Sequence, residues 1–168
     1  MELVQKIKNV ISKELSAIIG GALFIALLSK IAMFLPFNPV PVTMQTLATL
    51  LVAAALGRKG ALSVLTYIAM GLMGLPVLNA GMFTAGYLLG FVIAAYFIGY
   101  LFEAKIVKNV YTAFLAFTAG ELIILTTGSL WLMMLTEHAF ALGFYPFLLG
   151  GLFKVCLATY ITKKIKKW

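Results

Sequence analysis

The run VYTAFLAFTAGELIILTTGSLWLMML, residues 110–135, contains a single charged side chain, Glu121. A helix of roughly 20 mostly apolar residues can cross ~30 Å of hydrocarbon, so this run predicts a transmembrane helix. The rest of the chain has the same character, since 63% of its 168 residues are apolar and 11% are charged. Water-soluble domains carry about a quarter charged residues. The composition therefore predicts an all-α integral membrane protein, with too few polar side chains to cover a soluble surface.

Proline, glycine and charged residues interrupt the apolar sequence and mark the connections between helices. We predict one transmembrane domain, 1–168, in which an amphipathic lead-in at 1–14 precedes six spans. The spans are 15–35, 43–57, 60–78, 84–102, 110–135 and 146–163. The second span is short for a full crossing, which indicates a tilted or broken helix.

The basic residues predict the orientation of the chain in the membrane. An even number of spans places both termini on one side, and short cytoplasmic loops hold the excess of Lys and Arg. With the N-terminus in the cytoplasm, the following residues are all cytoplasmic: Lys6, Lys8, Lys13, Arg58, Lys59, Lys105, Lys108, Lys163, Lys164, Lys166 and Lys167. We therefore expect a multi-pass protein of the cell membrane with both termini inside. The net charge of +8 then indicates contact with anionic lipid rather than with nucleic acid.

Three charged residues lie within the predicted spans, and charge at membrane depth suggests a functional site. Lys30 is near the outer end of the first span and can extend to the interface. Glu121 must be protonated, face a wet cavity, or form an intramembrane ion pair with Lys30 or Lys154. Lys154 follows Gly150-Gly151, which favours a helix start there, and its ammonium suits a carboxylate ligand.

The sequence shows no constellation typical of an enzyme. His138 is the only histidine, and no Ser or Cys has a base at a recognisable spacing, so we predict no catalytic residues and no metal site. No glycine-rich phosphate loop occurs either, so any ATP must be used by another subunit.

Small residues recur at helix-face spacing in Ala22/Ala26 and in Gly86/Gly90/Ala94. Such ridges let helices approach closely in lipid, either within the chain or against a partner.

Three segments resemble one known family. PFNPVPVTMQTLATLLVAAALGRKGALSVLTYIAMGLMGLPVLNAG (36–81), TAGYLLGF (84–91) and PFLLGGLFKVCLA (146–158) are similar, in this order, to the biotin-specific S-component (BioY) family. The resemblance implies a six-helix substrate-capture subunit of an energy-coupling-factor (ECF) transporter. It implies biotin as the ligand, no cofactor, a coupling transmembrane subunit as partner, and ABC ATPases that consume ATP.

The resemblance also implies roles for individual residues. Lys154 would bind the biotin carboxylate, and Ala22 and Ala26 would contact the coupling subunit. The other substrate-binding residues would come from the two outer loops and from the run around Val42–Gln45: Asn79, Thr84, Gly86, Tyr87, Thr43 and Gln45.

This chain departs from the family pattern three positions before the lysine, where it has Gly151 in place of an acidic residue. The N–H groups of the biotin ureido ring must then find other acceptors, and we expect Gly151→Asp to tighten binding. Two alternatives stay open at this point: a stand-alone oligomeric vitamin carrier, and an S-component for a different small carboxylate vitamin.

Overall fold

The computed structural model describes residues 1–36, 38–78 and 81–166. Most of these residues are helical, and the α-helices are α1 (Glu2–Ser29), α2 (Gln45–Leu56), α3 (Lys59–Leu72), α4 (Ala85–Glu103), α5 (Val110–Leu132), α6 (Ala139–Gly143) and α7 (Tyr145–Ile165). After α1, a short antiparallel hairpin pairs β1 (Ala32–Met33) with β2 (Val42–Thr43). A 3-10 turn, Met82–Thr84, leads into α4. We call the end with the hairpin and the 73–84 and 133–144 connections the loop end, and the opposite end, with turns at 57–58 and 104–109, the basic end.

The outside of the bundle is suited to lipid. Among the described residues, four helical segments are long and apolar enough to cross a membrane: Lys8–Ser29, Met82–Glu103, Val110–Leu132 and Ala139–Ile165. Large apolar side chains such as Leu27, Leu72 and Leu149 are exposed on the surface. Because such a surface is stable only against hydrocarbon, the fold is that of a multi-pass membrane protein.

Helices α1 and α3 depart from the predicted spans. Helix α1 runs without a break from Glu2, so the lead-in at 1–14 is the first half of the same helix. It ends at Ser29 rather than near residue 35 because the chain turns there into the hairpin. Helix α3 ends at Leu72 rather than near residue 78. These two helices therefore end at the loop end before the predicted spans do, whereas α2, α4, α5 and α7 begin and end within a few residues of the predicted spans.

The Gly86/Gly90/Ala94 ridge packs helix α4 against α5. A Cβ atom at Gly90 would lie 2.9 Å from the Cα atom of Ile124, and one at Gly86 would lie 2.7 Å from Cγ of Trp131. Ala94 is fully buried. The ridge therefore serves close packing within the chain, as small residues do between helices in lipid.

Hydrogen bonds to two carbonyls hold the connection after α3 at the loop end. The Val77 carbonyl accepts from the hydroxyls of Tyr67 and Ser29, each at 2.9 Å. The ammonium of Lys30 donates to the neighbouring carbonyl of Pro76. These donors from α1 and α3 fix the connection beside the cavity described below.

Candidate ligand-binding site

A cavity lies between α2, α4, α5 and α7, beneath the hairpin at the loop end. Its empty space, counted together with the open mouth, is about 560 Å³. Apolar side chains form most of the wall: Val40, Leu88, Phe91, Ile124, Leu125 and Phe147. The polar groups among them are Thr43, Gln45, Thr46, Thr84, Glu121 and Lys154.

Polar groups without protein partners converge in this cavity. Glu121 and Gln45 are each 6% exposed, and neither the Oε2 atom of Glu121 nor the Nε2 atom of Gln45 forms a hydrogen bond. Lys154 is 4% exposed, and no ion pair within the described residues joins it to Glu121. An unsatisfied buried polar group costs about 1–3 kcal/mol. The cavity therefore offers an acceptor, an amide donor and a cation to a ligand that presents matching groups.

Glu121 reaches the cavity through the space beside Gly151. A Cβ atom at position 151 would lie 3.0 Å from both Cγ and Cδ of Glu121 and closer still to its Oε1 atom. A side chain on α7 at this position would meet the Glu121 carboxylate, which would have to move. The glycine is thus what allows a carboxylate from α5 to lie against α7, one helical turn before Lys154.

Tyr87 forms a fixed part of the wall. Its hydroxyl donates to the Gly143 carbonyl at 2.7 Å, so the polar end of the side chain is occupied within the protein. Its ring lies 6.1 Å from the Phe147 ring, centroid to centroid. Tyr87 therefore offers a ligand its aromatic face, while its hydrogen bond ties α4 to α6.

The mouth of the cavity is shaped by the loop between the two strands. The Asn38 side chain accepts from the Val40 amide at 2.9 Å and donates to the Leu142 carbonyl at 2.7 Å. The same loop places Val40 and Pro41 over the cavity. Asn38 thus uses hydrogen bonds within the protein to position the loop residues that lie over the cavity.

Most of the predicted substrate-binding residues meet at this cavity. Lys154, Thr84, Tyr87, Thr43 and Gln45 all line it.

Two further predictions of binding residues have different outcomes. Gly86 is not among the lining residues, because Trp131 lies against it, and its role as a binding residue stays a prediction. Asn79 lies outside the described residues.

The predicted ion pair between Glu121 and Lys30 is absent. Lys30 is exposed at the loop end and bonds to Pro76, while Glu121 lies in the cavity near Lys154. The ion pair does not form because Lys30 is exposed at the end of α1, whereas Glu121 is buried against Gly151 of α7.

The structure also contradicts the expectation that Ala22 and Ala26 are open to a partner subunit. They are 0% and 8% exposed, because this face of α1 packs on other helices of the same chain. Ala17 and Gly20 are exposed, on another face of α1. These two line an apolar groove between α1, α2 and α7, together with Phe24, Leu51, Ala55 and Ile161.

Some lining residues escaped sequence reasoning. Phe91 and Phe147 are indistinguishable by pattern from lipid-facing aromatics. Thr46 could have been found, because it directly follows Gln45 in the PVPVTMQT run and is buried at the start of α2.

Comparison with known proteins gives consistent results. The model of the BioY family matches residues 4–168. "Biotin transporter BioY2" of Lactococcus lactis subsp. cremoris (strain MG1363) is 36% identical over 158 residues, covering 86% of this chain and 85% of that protein. "Biotin transporter BioY" of Thermotoga maritima is 35% identical over 146 residues, covering 79% and 85%. A crystal structure of the S-component for biotin from an ECF-type ABC transporter has the same fold, with a TM-score of 0.81, 24% identity, and coverage of 95% and 94%.

Proposed function

Because the chain belongs to the BioY family, we propose that it binds biotin in the loop-end cavity and mediates biotin uptake as the S-component of an ECF-type transporter. It performs no covalent chemistry in this role. ATP is used by ABC ATPases, to which a coupling transmembrane subunit connects the chain.

The observation that carries the proposal is the set of unpartnered polar groups in an apolar cavity. Biotin combines an apolar bicycle and chain with a ureido ring, which has N–H donors and a carbonyl acceptor, and with a carboxylate. The apolar wall, Glu121, Gln45 and Lys154 complement those groups. Thr84 and Thr43 supply further hydrogen-bonding groups in the lining, and the family resemblance implies Asn79 as another.

Binding of labelled biotin to the purified protein tests the proposal directly. We expect saturable binding that other carboxylate vitamins do not displace, and a loss of roughly ten- to a hundredfold in affinity for Lys154→Ala, as for a charge-assisted hydrogen bond. Lys163→Ala is the matched control, because Lys163 is an exposed lysine at the far end of the same helix. Absence of biotin binding, or displacement by another vitamin, would assign the cavity to a different ligand.

The proposed topology has six crossings with both termini in the cytoplasm. The four long apolar helices and the shorter α2 and α3 would supply them, alternating in direction between the basic end and the loop end. The one-sided distribution of Lys and Arg supports a cytoplasmic basic end in the cell membrane. The cavity would then open toward the outside, where biotin is captured.

The groove between α1, α2 and α7 is the proposed contact for the coupling subunit. It lies in the basic half of the bundle, away from the cavity. Its lining includes the small residues Ala17, Gly20 and Ala55, which leave room at its base. Small residues of this kind let a helix of another protein approach closely. An S-component of an ECF transporter needs such a contact, and the groove offers it where Ala22 and Ala26 do not.

Tryptophan substitutions test this contact. Gly20→Trp is expected to block biotin uptake in cells that contain the ATPases while leaving binding to the isolated chain unchanged. Ala22→Trp is the comparison variant and should lose binding as well, because its side chain is fully buried within the chain. Uptake by the wild-type chain in cells without the ATPases would support a stand-alone carrier instead.

A further inference from the structure

We propose that Glu121, on α5, is the acceptor for the ureido N–H groups of biotin, and that it occupies the space made free by Gly151 on α7. This inference rests on the proposed function, because it names the protein group that recognises one part of the biotin molecule. It assigns to Glu121 a binding role in place of the intramembrane ion pair with Lys30.

The first support is that Glu121 is aimed into the cavity with an unused oxygen. The residue is 6% exposed, and its Oε2 atom has no hydrogen-bond partner. A carboxylate that served only to hold helices together would bond to protein donors, because leaving it unpaired at membrane depth is costly. A ligand that donates N–H groups satisfies it.

The second support is steric. Glu121 lies so close to Gly151 that a Cβ atom there would be 3.0 Å from Cγ and Cδ of the glutamate. An acidic side chain at 151 and the glutamate at 121 would therefore compete for one volume. The two positions are alternative sources of a carboxylate at the same place in the cavity, one on α7 and one on α5.

The third support concerns charge, and it changes the expected orientation of the ligand. Glu121 and Lys154 both line the cavity and interact electrostatically. If the biotin carboxylate lay on Lys154, it would also lie close to the carboxylate of Glu121, and two carboxylates sharing a site repel. A cyclic urea avoids this conflict, since its N–H groups donate to Glu121 and its carbonyl accepts from Lys154. The carboxylate of biotin then points toward the mouth, near Thr43 and Thr84.

This arrangement reverses the sequence-based expectation for Gly151→Asp. In the wild-type chain the new side chain would meet Glu121 and place two carboxylates side by side, so we expect weaker binding. When Glu121 is replaced by alanine, the same substitution should restore an acceptor. The double variant Glu121→Ala/Gly151→Asp is therefore expected to bind biotin at least tenfold more tightly than Glu121→Ala alone.

The experiment measures the affinities of biotin and of biotinamide, whose amide lacks the carboxylate charge. Glu121→Gln is expected to weaken both ligands by the same factor, roughly ten- to a hundredfold, because it exchanges a charged acceptor for a neutral one. Lys154→Ala should likewise weaken both equally. A biotin derivative methylated at both ureido nitrogens should bind wild type and Glu121→Gln alike.

Difference infrared spectroscopy on the wild-type protein provides a readout that needs no variant. Addition of biotinamide, which has no carboxyl group of its own, should shift a glutamate carboxyl band. No change in that region overturns the proposal, and so does a folded Glu121→Gln protein with wild-type affinity. A folded double variant that binds no better than Glu121→Ala also contradicts it. If the wild-type chain binds no biotin, the proposed function fails instead, and that outcome is recognised before any variant is compared.

Discussion

Replacement of Gly99 by alanine should weaken the packing of α4 against the turn between α2 and α3. A Cβ atom at Gly99 would lie 2.6 Å from the Arg58 amide nitrogen and closer still to the Gly57 carbonyl. Contacts this short are made with backbone, which cannot rotate away as a flexible side chain can. Gly57 shapes this turn with a φ of +63°, a backbone conformation that glycine adopts readily. Overpacking of this kind costs typically 1–3 kcal/mol, against which the better helix propensity of alanine returns at most about 1 kcal/mol.

A matched glycine in the same chain makes the prediction decisive. Gly20→Ala in α1 meets nothing within 4 Å, so it should leave stability unchanged or raise it slightly. We expect Gly99→Ala to lower the apparent Tm of the detergent-solubilised protein, measured by loss of the monodisperse peak after heating, and Gly20→Ala to keep it. Equal Tm values for Gly99→Ala and wild type would refute the rigid contact between α4 and the turn.

The orientation of the chain, the Tyr87 hydrogen bond and the ion pair of Arg58 each lead to a testable prediction. Single cysteines at Arg58 or Lys105, in a Cys156→Ser background, should react only with reagents that reach the cytoplasm, and labelling of either from outside would contradict the proposed orientation. Tyr87→Phe should cost about 1–3 kcal/mol because it leaves the Gly143 carbonyl without its donor; an unchanged Tm would show that water replaces the hydroxyl. Arg58→Ala should leave the Tm nearly unchanged, since its ion pair with Glu103 is largely exposed, and a clear loss of Tm would mean that the pair organises the turn.

The apolar runs were sufficient to predict the helices, whereas the positions at which helices stop at the loop end depended on tertiary contacts. Helix α1 stops at Ser29 because residues 32–33 pair with 42–43, and hydropathy alone cannot distinguish an apolar strand from further helix. The hydropathy pattern was also insufficient to predict which face of α1 is buried. A Cβ atom at Gly21 would lie 3.0 Å from Cβ of Ser63 and 3.1 Å from Cγ1 of Val52, so α2 and α3 cover the face that carries Ala22.

Site residues could be predicted from the sequence where a single segment was distinctive by itself. Lys154 stood out as an intramembrane cation after two glycines, and Gln45 as a polar residue in a distinctive run. The relation between Glu121 and Gly151 was not predictable, because it depends on two helices that meet in space. In sequence, Gly151 indicates only a lost acidic residue. In the structure, the absence of a side chain at Gly151 leaves room for the carboxylate of Glu121 from α5.

The short helices α2 and α3 have a consequence for the membrane around the protein. At 1.5 Å per residue, the 14 residues of α3 span roughly 21 Å, well below the ~30 Å of a typical hydrocarbon layer. Helix α3 also exposes Leu62, Leu65 and Leu72. In the proposed six-crossing topology the hydrocarbon layer beside α3 would thin to match the short helix, at a fraction of a kcal/mol per Å. The protein would then be surrounded by a dent in the bilayer. Two proteins that each dent the membrane attract one another through the lipid, because a shared dent deforms less of it than two separate ones.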